Sequence, residues 1–234
     1  MTNPAAVLLV HGAGGTPSTW SGVEPLLNQR GHRTLRVVNP LTSLADDIAC
    51  TTCALDQLDQ PGGRVLAVGH SYGGAVITNV GRDPRVAGLV YVAAFAPDEN
   101  ESVQQIVNRY PPAEVSKYMR RGPNGEWKSV RDAAYWAEIG WDVRPEQRDG
   151  IMSEHRESAD AIFTQATGEP AWRHRPSWYI VAAEDKTLPP DIQRDMAARA
   201  GADTTVLPGS HYTPWTQPEP VAAVILEAAA QVAG

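Results

Sequence analysis

The chain has 234 residues, 42% of them hydrophobic and 20% charged, and 27 acidic against 20 basic side chains leave a formal charge of −7. These values suit one medium-sized globular domain with a real core, and the acidic balance speaks against nucleic acid or an anionic membrane as a partner. Met1 to Pro4 carry no basic region and no run approaches the ~20 apolar residues of a membrane span, so a cytoplasmic protein without signal peptide or anchor is expected.

Short strands alternate with helices from the start. Ala5 to Val10 is a continuous apolar run, as a strand buried on both faces requires. The loop Gly12-Ala13-Gly14-Gly15 follows, and Ser18 or Thr19 can cap a helix that runs to about Arg30 and stops at Gly31. Arg33 to Val38 reads as a second strand, and Leu44 to Leu58 as a helix capped by Thr42 or Ser43. Cys50 and Cys53, the only cysteines, fall inside that helix. A reactive C-x-x-C opens a helix instead, and zinc would need two further ligands, so the pair reads as structural and no metal is expected.

Arg64 to Val68 predicts the next strand, and Gly69-His70-Ser71-Tyr72-Gly73 then spells G-x-S-x-G ahead of a helix. Between strand and helix this pentapeptide is a nucleophile elbow, a sharp turn that holds one serine hydroxyl clear of its backbone. Val86 to Ala94 is another strong strand. From Pro97 to Pro176 the alternation stops and the chain turns more polar and helix-like, broken at Pro111-Pro112, Gly122-Pro123-Asn124-Gly125 and Gly168-Glu169-Pro170. Alternation resumes with a strand over Trp178 to Ala183, a helix over Asp191 to Ala200, a strand over Thr204 to Leu207 and a helix over Glu219 to Val232.

This pattern predicts an α/β fold with a mainly parallel sheet of about six strands flanked by helices. Residues 1–96 and 177–234 form its core, and 97–176 form a helical cap, or lid, above the sheet edge where such folds bind ligands. Gly12, Phe95, Trp136, Trp141 and Tyr212 are the expected pocket residues. For the tryptophans, a private core within the insertion is the competing reading.

A serine nucleophile needs a base, and the base an orienting acid. In a fold of this type they follow in the order Ser, Asp or Glu, His. Of the six histidines, His211 follows the last core strand directly, where a loop can reach the elbow. His11 precedes Ser71 and suits loop bracing. His70 adjoins Ser71, but neighbours on an elbow point different ways. Glu184 and Asp185 both follow the penultimate strand, and Asp185, further into the loop, is the better acid. Oxyanion donors are expected from the amides of Tyr72 and Ala13. The Gly12 loop lacks the G-x-G-x-x-G spacing of a dinucleotide site, and no acidic residue ends the second strand, so no cofactor is expected.

With these segments the chain resembles the α/β-hydrolase superfamily, and more closely the branch of small plant methylesterases and hydroxynitrile lyases with their bacterial esterase-like relatives. The resemblance rests on Val7–Ala13, Val68–Gly74, Ala94–Asp98, Glu184–Pro189 with Gln193-Arg194, and Gly209–His211. It implies Ser71 as nucleophile, His211 as base, Asp185 as acid, Ala13 and Tyr72 as oxyanion donors, and a helical cap over the pocket. The lyases typically carry Thr, Glu and Lys where this chain has Gly12, His70 and Tyr212, which points to hydrolysis of a carboxylic ester, thioester or lactone, and Trp136, Trp141, Tyr72 and Phe95 suggest a small apolar or aromatic substrate. A lyase or cyclase using His211 as base and a small-molecule receptor with negligible turnover are the alternatives. Monomer and homodimer both remain open.

Overall fold

In the computed structural model the described residues are 4–58 and 63–233; the reading of Met1 to Asn3 falls outside them. The strands are β1 (Ala6–Val10), β2 (Thr34–Arg36), β3 (Val65–His70), β4 (Val86–Val92), then β5 (Met119–Arg121) and β6 (Trp127–Ser129), and finally β7 (Ser177–Ala182) and β8 (Asp203–Leu207). Six of them form one parallel sheet in the order β2-β1-β3-β4-β7-β8. The four central strands are apolar on both faces because both faces are covered. Alternate residues point opposite ways. Leu8, Val10, Ala67, Leu89, Tyr91 and Val181 join one core layer, and Val7, Leu9, Leu66, Val68, Val90 and Ile180 the other. Edge strand β8 is mostly exposed and carries Asp203, Thr204 and Thr205, residues that discourage pairing with another chain.

The first core layer packs on α2 (Leu44–Leu58), α3 (Gly73–Val80) and α8 (Pro190–Arg199), and the second on α1 (Glu24–Gln29) and the last helix, Pro218–Val232. α2 starts as the sequence predicts, with Ser43 Oγ accepting the Asp46 N–H at 3.0 Å and donating to the Asp46 carboxylate at 2.7 Å. Cys50 and Cys53 lie inside it as free thiols. The single helix expected over residues 18–30 is instead a 3-10 turn over Pro17–Trp20 and the short α1. Pro25 has no N–H to bond back to the preceding turn, so it sits in the first turn of α1 and a continuous helix from residue 18 would break there.

Residues 97–176 hold α4 (Val103–Val107), α5 (Ala133–Glu138), α6 (Pro145–Ser153) and α7 (Ala161–Thr164), and also the antiparallel pair β5/β6. The segment is therefore not purely helical. Gly125, at φ +83°, closes a hairpin in which Arg120 pairs with Lys128.

The chain leaves β1 toward β2 on one side and then returns to place β3 on the other. Crevices form at such reversals, beyond the C-terminal ends of the strands. Loops bearing Gly12, Ser71, Asp185 and His211 all emerge at that edge.

Candidate active site

Ser71 sits at φ +53°, a left-handed conformation that costs a residue with a side chain and is sustained here by its surroundings. Its N–H donates to Val92 O at 3.2 Å, and its carbonyl accepts from Phe95 N and Gly74 N, both at 3.0 Å. The turn demands glycine on both sides. A Cβ at Gly69 would lie 2.5 Å from Gly73 O, and one at Gly74 2.3 Å from Phe95 O. α3 begins directly after Tyr72, so the amides of its first turn and the positive end of its dipole face the crevice.

His211 follows β8. Its Nδ1–H donates to Asp185 Oδ2 at 2.6 Å, which leaves Nε2 on the other side of the ring. Asp185 is buried, and its carboxylate accepts three further hydrogen bonds: Thr187 N at 2.7 Å, Leu188 N at 2.9 Å and Gln193 Nε2 at 2.9 Å. A charge taken out of water needs that degree of pairing. Gln193 is itself fully buried, and its Oε1 accepts Ala182 N at 3.0 Å.

Two other histidines brace the loops. His11 Nδ1 donates to Gly12 O at 2.9 Å and its Nε2 accepts Asn39 N at 3.2 Å, so the ring is neutral; burial lowers its pKa to about 4. His70 does not point away from the site. Its Nε2 donates to the carbonyl of His211 at 2.9 Å, and the two rings stand 4.7 Å apart. Burial, and then the charge of a protonated His211, hold His70 well below the usual imidazole range.

A cavity of about 670 Å³ opens over these groups, and Gly12, Ala13, Ser71, Tyr72, Phe95, His211 and Tyr212 lie on its wall. Asp185 lies behind His211, away from the cavity wall. Two pocket expectations need correction. Trp136 is buried behind the wall among Ile139, Val143 and Ile151, with its ring 5.6 Å from Tyr212 and the Arg148 guanidinium stacked over it. Trp141 is 44% exposed and absent from the lining. α5 is rotated so that Tyr135, one residue earlier, reaches the cavity and shares a 2.7 Å hydrogen bond with the Tyr212 hydroxyl. Sequence reasoning also missed Trp127, Arg131, His155, Phe163 and Trp215 on the wall; in the sequence Trp127 stands out only as one more aromatic residue of the insertion.

Residues 154–159 tie the insertion to the Gly12 loop. Gly14 N donates to the buried Ser158 Oγ at 2.8 Å, Arg156 N donates to Gly14 O at 3.0 Å, and Thr16 Oγ1 donates to Glu154 at 2.6 Å. Among the described residues no cluster of three or more His, Cys, Asp or Glu side chains could hold a metal ion. No helix among them is long and apolar enough to cross a membrane.

Residues 7–224 match the alpha/beta hydrolase family. The chain belongs to that family. Within it, an alpha/beta hydrolase of Aspergillus novofumigatus is 24% identical over 212 residues, covering 82% of this chain and 82% of that protein. Among solved structures, a pyrethroid hydrolase from Sphingobium faniae JZ-2 shares the fold of this family member with a TM-score of 0.80 at 22% identity, covering 97% of both chains. Polyneuridine aldehyde esterase shares it with a TM-score of 0.78 at 18% identity, covering 96% of this chain and 99% of that one.

Proposed function

We propose that this chain is a serine hydrolase that cleaves a carboxylic ester of a small, largely apolar molecule through an acyl-enzyme. The observation that carries the reading is the 2.6 Å bond from His211 Nδ1–H to buried Asp185, with His211 and Ser71 on the wall of one cavity. That bond leaves Nε2 free to act as the base.

Ser71 Oγ attacks the ester carbonyl and its proton passes to Nε2 of His211. The imidazolium so formed is stabilised by Asp185, whose remaining hydrogen bonds hold it in place. Amides of Ala13 and Tyr72 receive the oxyanion, the latter from the start of α3. As the tetrahedral species collapses, His211 returns the proton to the departing alcohol. Water then attacks the acyl-enzyme by the same route in reverse and frees the acid. The mostly apolar wall of the cavity and the hydrolases and esterases among its structural neighbours support an ester of modest size.

Labelling with a fluorophosphonate probe tests the assignment. The wild-type chain is expected to take up the probe and Ser71→Ala to lose all labelling, with the modified peptide in mass spectrometry being the one that contains Ser71. Labelling that survives Ser71→Ala overturns it.

A further inference from the structure

Much of the cavity wall is apolar, contributed by Val103, Val107, Ile151, Phe163 and Ile192, yet one guanidinium shares it. Arg131 is half-buried, its guanidinium carbon 5.9 Å from the centre of the Tyr135 ring, and its Nε donates to Ser129 Oγ at 2.9 Å. Nearby cations are paired: Arg121 reaches Asp160 at 3.4 Å and Lys128 reaches Glu157 at 2.5 Å. Arg131 has no carboxylate partner among the described residues, and its terminal Nη groups meet no protein acceptor among them. Glu154, on the same wall, is engaged by Thr16. The Arg131 charge is felt inside the cavity, where it favours ionisation of the Tyr135 and Tyr212 hydroxyls against the opposing effect of burial.

His155 lines the same cavity. Its two ring nitrogens are closed off from the cavity, and the ring lies so close over the Gly12 loop that a Cβ on Gly14 would come 2.4 Å from Cε1. Burial, reinforced by Arg131, lowers its pKa to about 4, so at neutral pH it adds no charge to that of Arg131. A guanidinium held against an apolar wall loses hydration that only an anion can replace in full, and a carboxylate matches its two parallel N–H groups. One positive charge beside a neutral imidazole suits a monoanion better than a dianionic phosphate.

The geometry points to a carboxylate-binding subsite: Arg131, on the cavity wall, holds a free carboxylate carried by the substrate away from its scissile bond. That the ligand is a substrate rests on the ester-hydrolase reading, whereas the subsite itself stands on Arg131.

Calorimetric titration with 4-phenylbutyrate and 4-phenylbutanamide at pH 7.5 and low salt separates charge from shape. The wild-type chain is expected to bind the carboxylate at least about tenfold more tightly than the amide, the scale of one partly exposed charge-assisted pair. Arg131→Gln is expected to bring the two ligands to equal affinity, and Arg131→Lys to keep part of the preference. Equal affinities in the wild type, no binding of either ligand at millimolar concentration, or a preference that survives Arg131→Gln would each overturn the subsite. If Arg131→Gln fails to fold, the wild-type ratio and Arg131→Lys decide. Fluorophosphonate labelling of the same preparation keeps the two readings apart. Labelling without carboxylate preference overturns the subsite alone, and preference without labelling overturns the hydrolase reading alone.

Discussion

Asp185 is held by donors from three places: its own loop through Thr187 and Leu188, α8 through Gln193, and the β8 loop through His211. Gln193 bridges two of these, because its amide nitrogen donates to Asp185 while its oxygen accepts from β7. Gln193→Leu conserves volume but leaves Ala182 N–H without an acceptor and removes one of the four hydrogen bonds that hold the Asp185 carboxylate. The expected result is a loss of roughly 1–3 kcal/mol in urea unfolding. Steady-state kinetics should show a roughly ten- to hundred-fold fall in kcat with little change in KM, as displacement of a reacting group predicts. A second buried pair, Tyr72 Oη donating to Asp47 at 2.8 Å, fastens the elbow to α2. Burial raises the pKa of both groups, and the hydrogen bond helps keep the phenol proton on Tyr72.

At the scale of elements, the elbow works because β3, α3 and the loop after β4 approach more closely than any side chain allows. Gly74→Ala places a Cβ 2.3 Å from Phe95 O and 2.8 Å from Ala94 Cβ, both in rigid surroundings. Thermal and urea unfolding should register a loss of roughly 1–3 kcal/mol or more, and probe labelling should slow because Ser71 rides on the same turn. The 154–159 strap plays the same part for the Gly12 loop. Ser158→Ala leaves Gly14 N–H buried without its acceptor, so a destabilisation of about 1–3 kcal/mol is expected, again readable in urea. α5 shows the opposite case, in which an element's rotation matters more than its existence. Tyr135 and Trp136 are equally aromatic, yet only Tyr135 reaches the cavity.

For the molecule as a whole, neutral buried histidines set a limit on acid tolerance. His11, and His70 beside it, are held neutral by burial, with folded pKa values below the ~6.5 of an unfolded chain. Their sign is unambiguous. Below pH 6.5 the unfolded chain gains protons that the folded chain refuses, so stability falls as pH drops. For His11 the fall runs from about 6.5 to about 4. Each group contributes at most about 1.4 kcal/mol per pH unit across its window. Asp47 acts in the opposite sense, since a carboxyl whose pKa is raised in the fold takes up a proton there first. Urea midpoints between pH 7.5 and 4.5 should decline, and His11→Asn should lessen the slope. A flat profile would contradict neutral histidines at both positions.

The sheet was legible in the sequence because strands covered on both faces must be apolar throughout; β1 and β4 are such runs, and their observed ends fall within two residues of the predicted ones. Ser71, Asp185 and His211 were legible for a related reason, since each stands just beyond a strand end and the sheet brings those ends to one edge. The 97–176 segment offered no comparable rule. Its helices are short, Trp136 and Trp141 looked as suited to a pocket as Tyr135, and the β5/β6 hairpin hid behind turn residues that a loop would also carry. The bracing role of His70 was not legible, as its acceptor is a backbone carbonyl 141 positions away.

The sequence by itself thus determined the fold class, the elbow around Ser71 and the chain order of its expected partners, because local strand and turn physics depends on neighbours along the chain. The tertiary structure alone decided which side chains line the cavity. It seats Trp136 behind Tyr212, brings the Ser158 hydroxyl to Gly14, and places Arg131 on the cavity wall. Those outcomes depend on how short elements rotate and pack against residues distant in sequence, and no local pattern records that rotation.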